Sequence, residues 1–542
     1  MDSPPISSRE AIFSNRRRYS RLLALVGVLT GFACVNATAV AEPVSGPELQ
    51  YPQENDTPWN PDAILAIGDY VASPSFNNRR YYIDHFAGPG NADQVGGPAA
   101  ELSNGDIVVA GLVPNFQTSG TCNNGTALCN VGLVRYNRHG VRLAWSDPNG
   151  FGFYSNNYVI YPNSAASGYQ YIRDVKVQSG TIYVLLDAPN TSQTGLGRQN
   201  ISILSFSENG RPRGNISVLG LSSNGSDTED FYGAQMTFTG PGKLIVTATD
   251  YDGTSSYLAV SRLNVDAGGG LNQDTTWGSS YAGSGNRIRR YPANVPYTVG
   301  YATTPVGFSG QNDFYVAGSL DAQGDSDVLV LKISSVTGNY KTEFGGNGVA
   351  TVDFARPNST HDDFAGGLYV YRDEVYLAAR VDEQCLESIG VAKLNGATGG
   401  LVSAFGIAGK VVFGGFDTAC AAYRVGATPT AVSATGGRIG VVGVQRSWVP
   451  DGPSAFDNYD PYLAVVDAVT GSVIDEGRRI VIRPNGTRAG DAIFYSVIGG
   501  PDAISPFIAA GNSRDTLTGN TLSYLTGMFI PDSDLIFANN FD

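Results

Sequence analysis

Residues 312–349 read NDFYVAGSLDAQGDSDVLVLKISSVTGNYKTEFGGNGV. A β-branched and aromatic run, Phe314–Gly318 (FYVAG), ends in glycine, and a polar loop leads to a second alternating run, Asp327–Ile333 (DVLVLKI). The turn Ser335-Val336-Thr337-Gly338 follows. Apolar side chains at every second position mark strands with two distinct faces, and the glycine turn marks a hairpin.

The unit recurs along the chain. Runs like the first are Ile107–Gly111, Ile182–Asp187, Leu244–Asp250, Val375–Arg380, Ile439–Gln445 and Phe507–Gly511. Runs like the second are Val131–Tyr136, Ile201–Phe206, Tyr257–Leu263, Ser388–Leu394, Tyr462–Asp467 and Leu522–Met528. The spacing, roughly 60 to 75 residues, exceeds that of WD or kelch units. A glycine-flanked inner strand before each pair and an outer strand after it make four antiparallel strands per unit. Such a sheet buries both faces only by stacking on its neighbours around an axis. The expected fold is all-β: a single seven-bladed β-propeller of four-stranded antiparallel blades over residues 79–530. Arg79–Phe86 (RRYYIDHF) is the expected closing strand of the last blade, with Leu535–Phe541 as its rival.

Composition agrees. The chain has 542 residues, 42% hydrophobic and 15% charged, with 68 Gly and 29 Tyr, as suits Gly-rich turns between β-branched and aromatic runs. Residues 1–41 read as a signal peptide. Arg16, Arg17, Arg18 and Arg21 form its basic region, Leu22–Ala33 its apolar stretch, and Ala39-Val40-Ala41 its cleavage site. The paired arginines resemble a twin-arginine signal less than an ordinary secretory one, and Gly31-Phe32-Ala33 before Cys34 lacks the aliphatic residue of a lipoprotein signal. Residues 42–78, with six prolines, read as an irregular leader, and residues 531–542 as a C-terminal tail. Export to the periplasm, cell surface or medium follows.

The net charge of −14 becomes −17 when residues 1–41, with five Arg, one Asp and one Glu, are removed. That charge disfavours nucleic acid and anionic lipid, and no second apolar segment is long enough to span a membrane. Four cysteines remain, and an exported compartment permits the pairs Cys122–Cys129 and Cys385–Cys420. The chain is expected to be a monomer.

At this point the units resemble the delta-60 repeat family of bacterial secreted propellers. Asn104–Gly111 (NGDIVVAG) matches that family's second strand, and Leu133–Asn137 and Asp327–Lys332 match its third. Phe344–Val349 (FGGNGV) and Phe405–Val411 (FGIAGKV) match its "F-G-x-x-G-x-V" element. The resemblance implies a propeller and carries no common reaction. The tail Leu535–Asp542 also resembles an "I-F-x-x-x-F-[DE]" ending of secreted proteobacterial proteins.

Candidate site residues cluster before the inner strands: Asp93, Asp174, Asp230, Asp363 and Asp491, with Tyr297 and Tyr423 at similar places. Around a channel they would form an acidic mouth for a cation or cationic ligand. The competing reading makes each Asp a cap for backbone N–H groups of its own blade. His361-Asp362-Asp363 is the sharpest cluster, because His361 is one of three histidines. Beside carboxylates it would serve as a base or ligand; alone it is an exposed loop residue. Asp250-Tyr251-Asp252-Gly253 and Asp321–Asp327 suggest calcium, without the full spacing of a calcium loop. No nucleophile elbow, zinc helix motif or phosphate loop is present. The leading expectation is a non-catalytic binding or scaffold module for a glycan, peptide or protein, without a required cofactor. The alternatives are an extracellular hydrolase or lyase using carboxylates at the mouth, and a cell-surface adhesion protein.

Overall fold

The computed structural model describes residues 81–84, 95–114, 129–138, 141–145, 158–161, 171–189, 199–219, 230–240, 242–251, 256–277, 279–280, 287–291, 306–308, 312–322, 325–354, 362–371, 373–383, 386–413, 426–448, 457–478, 492–499, 507–514 and 521–528. Among them every regular element is a strand. Among the described residues no helix is long and apolar enough to cross a membrane.

After β1 (Tyr81–Asp84) the chain runs as successive antiparallel meanders. The first is β2 (Val95–Glu101), β3 (Ile107–Pro114) and β4 (Cys129–Tyr136), with β5 (Arg142–Leu143) and β6 (Tyr158–Tyr161) on the outer side of β4. Next come β7 (Tyr171–Gln178), β8 (Thr181–Pro189), β9 (Gln199–Ser207) and β10 (Pro212–Leu219). The following sheet is β11 (Asp230–Phe238), β12 (Lys243–Tyr251) and β13 (Ser256–Val265), edged by β14 (Leu271–Gln273), β15 (Ser279–Ser280) and β16 (Arg287–Tyr291). Then come β17 (Val306–Phe308), β18 (Asp313–Ala322), β19 (Asp325–Ser334) and β20 (Val349–Val352). They are followed by β21 (Asp362–Tyr371), β22 (Glu374–Glu383), β23 (Leu386–Asn395) and β24 (Lys410–Phe413). After these stand β25 (Gly426–Thr435), β26 (Arg438–Trp448), β27 (Asp457–Asp467) and β28 (Val473–Arg478). The last meander is β29 (Ala492–Gly499), β30 (Phe507–Arg514) and β31 (Thr521–Met528).

The first strand of each meander is the inner one, and these strands touch in the cyclic order β2, β7, β11, β17, β21, β25, β29 and back to β2. This is a β-propeller, with the inner strands around the axis. Its closure is interleaved: β1 pairs antiparallel with β31, Tyr82 opposite Leu525, so a segment near the N-terminus supplies the fourth strand of the last sheet. The rival segment, Leu535–Phe541, lies outside the described residues, as do residues 1–78.

The period-2 pattern places the core. Ile107 and Val109 of β3 pack with Ile508 and Ala510 of β30, while Val108 and Ala110, on the other face, pack with Ile182 and Val184 of β8. The same split continues with Tyr183 and Leu185 against Leu244 and Val246, and with Val328 and Val330 against Leu377 and Ala379. Each Val, Leu or Ile among them contributes about 1.5–3 kcal/mol on burial. No sheet keeps two dry faces without its neighbours.

The two F-G-x-x-G motifs, Phe344–Gly348 and Phe405–Gly409, form part of a latch between successive sheets. Tyr315 Oη and Lys332 Nζ both donate to the carbonyl of Gly396 in the next sheet, at 2.6 and 2.9 Å. One sheet on, Tyr376 Oη and Lys393 Nζ point at the carbonyl of Ala468, at 3.3 and 2.8 Å. Phe344 and Phe405 pack edge-on against Tyr315 and Tyr376, with centroids 5.5 and 6.4 Å apart. Gly345 and Gly406 then donate their N–H groups across the junction to Thr398 and Thr470 carbonyls, at 2.8 and 2.7 Å. Their φ values of 59° and 55° are left-handed, which favours glycine. An earlier junction uses a variant, in which Arg262 lies 5.4 Å over Trp277 and donates to the Ser335 and Val336 carbonyls of the next sheet.

Candidate functional site

An extra residue bulges the inner strand in six places: between Gly96 and Ala99, Ile172 and Asp174, Tyr232 and Gln235, Ala365 and Gly367, Pro429 and Ala431, and Phe494 and Ser496. A bulge twists the strand and re-aims a side chain. Here the bulges also bond adjacent inner strands. Ser496 Oγ accepts from Ala99 N at 2.9 Å, and Thr430 Oγ1 donates to Phe494 O at 2.6 Å.

Asp174 belongs to this framework. It is 8% exposed, and its carboxylate accepts from Val175 N at 2.8 Å, Lys176 Nζ at 2.9 Å and, across to β11, Met236 N at 3.1 Å. It is a strut between sheets rather than a solvated member of an acidic mouth: the capping reading keeps its bonds within its own blade, but one of them crosses to the next. Asp230 opens β11, but its side chain lies outside the described residues, and so do Asp93, Tyr297, His361, Tyr423 and Asp491 entirely. Cys122, Cys385 and Cys420 lie outside them too, and of Cys129 only the backbone, at the start of β4, is described.

Asp362 and Asp363 open β21. Asp362 is half-buried and stands opposite Asp382, which Arg380 neutralises at 3.1 Å. Asp363 is 1% exposed and accepts from Phe354 N at 2.7 Å. One oxygen each of Asp327, Asp353 and Asp363 lie within 4.8 Å of one another, a donor set suited to a hard cation. The register shows that this set is not repeated. At the next junction, where Glu387 bridges Gly426 as Ser326 bridges Asp362, the positions equivalent to Asp327 and Asp363 hold Ser388 and Ala427.

The two stretches that suggested calcium, at the connections between second and third strands, lie partly within strands. Asp321 lies within β18 and Asp325, Ser326 and Asp327 within β19, with Asp321 opposite Ser326, so only a tight hairpin joins them. Asp327 faces Asp353 and Asp363 rather than its own loop. Asp250 is fully buried near the end of β12, opposite Tyr257, and Asp252 and Gly253 lie outside the described residues. Alternation and turn residues locate strands, but they do not show which strand ends meet across a junction.

A second group escaped the sequence altogether. Arg173 fills the β7 bulge and Tyr495 the β29 bulge. Arg173 Nε donates to Asp187 Oδ2, and its guanidinium lies 4.8 Å over the Tyr171 ring. Asp187 is fully buried, and burial raises its pKa against the opposing charge and hydrogen bond of Arg173. Asn512 Nδ2 donates to Tyr495 Oη at 3.1 Å. Burial raises the Tyr495 pKa, so the phenol stays protonated, while the Asn512 bond and the nearby Arg173 charge oppose that rise. A bulge displaces residues from strict alternation, so no periodicity in Tyr171–Asp174 or Phe494–Ser496 marks them as channel residues.

No family model matches the chain, and no curated protein matches it. Among solved structures it is similar to a Trypanosoma rangeli sialidase, at TM-score 0.36 and 10% identity, covering 70% of this chain and 58% of that one. It is similar to a PL25 polysaccharide lyase, an ulvan lyase, at TM-score 0.39 and 11% identity, covering 68% and 78% of the two chains. A phage phi92 endosialidase gives TM-score 0.38 at 8% identity, covering 84% and 70%. At these scores the likenesses carry no conclusion about chemistry.

Proposed function

We propose that the protein is an exported, seven-bladed propeller of the delta-60 repeat type whose channel face binds a ligand without turning it over. The observation that carries this reading is the inner bulges. Two of them present large side chains with binding chemistry, Arg173 and Tyr495, whereas the buried carboxylates Asp174 and Asp187 are engaged by protein groups. Tyrosine offers stacking area and a hydroxyl, as suits a sugar or peptide. The cyclic contact of the inner strands and the β1–β31 pairing support seven blades. The basic and apolar segments of residues 1–41 support export. Calcium belongs to this reading at Asp327, Asp353 and Asp363, where it would tie two sheets together.

The same acidic trio favours a second reading, a hydrolase or lyase, because convergent carboxylates are what general acid–base chemistry requires. One experiment separates the two. The full chain is incubated with a panel of extracellular glycans and peptides, and both retention and cleavage are measured. Retention without cleavage is expected. Cleavage lost in Asp363→Asn would replace the binding reading with the enzymatic one.

A further inference from the structure

The inner wall breaks its own repeat where β29, β2 and β7 meet. In the β2 bulge stand Gly97 and Pro98, both buried. A Cβ on Gly97 would come within 2.6 Å of the Ala110 carbonyl, so this strand projects no long side chain between its neighbours. The strands on either side, β29 and β7, both touch β2 and carry Tyr495 and Arg173 in their bulges.

Hydrogen-bond supply is unequal there. Arg173 has five N–H donors, and Asp187 takes Nε. Among the described residues nothing accepts from the two terminal nitrogens, and the side chain is 25% exposed. Tyr171 covers one face of the guanidinium, so the planar fork has one orientation. Asn512 donates into Tyr495 Oη, which leaves the phenolic proton to be donated elsewhere, and no described residue accepts it. Three donors are thus held in place, and the anion that supports the arginine, Asp187, is already buried behind it.

We propose that this pocket between β29 and β7 binds a carboxylate, with the Arg173 fork gripping both oxygens and Tyr495 donating to one of them. This deepens the binding reading, because it names the chemistry of the ligand group held at the channel face. A planar fork with both terminal nitrogens free to donate matches a carboxylate bidentately, a match a lysine cannot make. The chain is acidic overall, at −14, so diffuse attraction of anions is opposed and binding must come from this local geometry. A uronate sugar and a peptide C-terminus carry the same group.

The test is calorimetric titration of the full chain with sodium glucuronate, its methyl ester and glucose, and with glycylglycine and its amide. Saturable binding of a free acid near about millimolar Kd is expected, with the ester, the amide and glucose each at least about tenfold weaker. Glucuronate alone would identify a sugar ligand, and glycylglycine alone a peptide end. Arg173→Lys should weaken binding about tenfold or more while keeping the charge. Arg173→Gln would strand the buried Asp187, so Arg173→Gln combined with Asp187→Asn is the second variant. It should keep the wild-type circular dichroism and lose carboxylate binding. Equal binding of acid and ester, no saturation by either acid, or undiminished binding by both variants would overturn the proposal. Turnover of a glycan in the separate assay would overturn the non-catalytic reading and leave this one standing.

Discussion

The sheet-to-sheet latch makes a quantitative prediction for Lys393 and Tyr376. Lys393 is 5% exposed, donates to Ala468 O at 2.8 Å, pairs with Glu374 at 2.8 Å and lies 5.5 Å from the Tyr376 ring centroid. Lys393→Met keeps the buried stem and removes the ammonium. A charged hydrogen bond to a buried acceptor contributes about 1.5–3 kcal/mol. Glu374 is a third exposed, so its share of the ion pair is under about 1 kcal/mol. The variant also avoids desolvating the ammonium, which offsets part of the loss. Tyr376 Oη lies 2.8 Å from Glu374 Oε2 and 3.3 Å from Ala468 O, and its single proton serves one of them at a time. With Lys393 gone, that proton turns to Ala468 O. Lys393→Met should therefore cost about 1–2 kcal/mol and Tyr376→Phe about 1 kcal/mol. The double variant leaves Ala468 O with neither donor and should cost about 1 kcal/mol more than the sum. Urea denaturation of the four proteins, with matched m-values, measures the coupling. Strict additivity, or a Lys393→Met cost below about 0.5 kcal/mol, the range of ordinary surface substitutions, would show that the latch is geometry without energy.

Three further outcomes follow from other places in the fold. Gly406→Ala should cost well over the roughly 1 kcal/mol of a left-handed alanine, because its Cβ would sit 2.1 Å from Lys410 O at φ 55°. Gly436→Ala, at φ 56° with nothing within 4 Å, should cost only that strain, so equal losses by thermal unfolding would refute the clash. At Asp274 burial raises the pKa, but the Lys243 and Thr276 hydrogen bonds and the Arg262 charge together lower it well below the usual carboxylate range. A lowered folded pKa gives stability that is complete above the unfolded value, about 3.9, and lost as the pH falls below it. The stability gap between wild type and Asp274→Asn should therefore shrink between about pH 5 and 2, and a gap that stays constant over that range counts against the assignment. Chelated protein should gain about 2.7 kcal/mol at a hundredfold excess of calcium over its Kd, and Asp353→Asn with Asp363→Asn should abolish that gain; a gain the double variant retains would place the ion elsewhere.

Much of this architecture was legible in one dimension. Every run of both kinds falls inside a strand: Phe314–Gly318 within β18, Asp327–Ile333 within β19 and Leu522–Met528 within β31. The reason is physical, since both faces of each sheet are buried and alternation must be kept. The turns Ser335–Gly338 and Ala468–Gly471 were legible too, because Gly338 and Gly471 take φ of 70° and 73°. The pairing of Tyr81–Asp84, within the expected segment, with the last sheet followed from that segment's having no sheet of its own. The site was not legible to the same degree. Asp174 looked like a mouth residue, yet its neighbour Arg173, set in the bulge, is the one left with free donors. Asp353 drew no notice, because its partners lie 26 residues before it and 10 after it in the chain.

Repetition itself separates scaffold from site. On the six second strands that face a bulged inner strand, the residue next to the partner of the bulge is Leu112, Asp187, Asp250, Arg380, Val444 and Asn512 by register. A position that served only the fold would hold one chemistry, as the latch does with Tyr315 and Tyr376, and with Lys332 and Lys393. This position holds apolar, acidic, basic and neutral polar groups. Asp187 and Asn512 use it to hold Arg173 and Tyr495. They stand in the two sheets flanking β2, and the pair they support faces one gap. A scaffold that tolerates five different residue types at one address exerts no demand of its own there, so the demand that placed a carboxylate behind the arginine and an amide behind the tyrosine comes from what those two side chains hold.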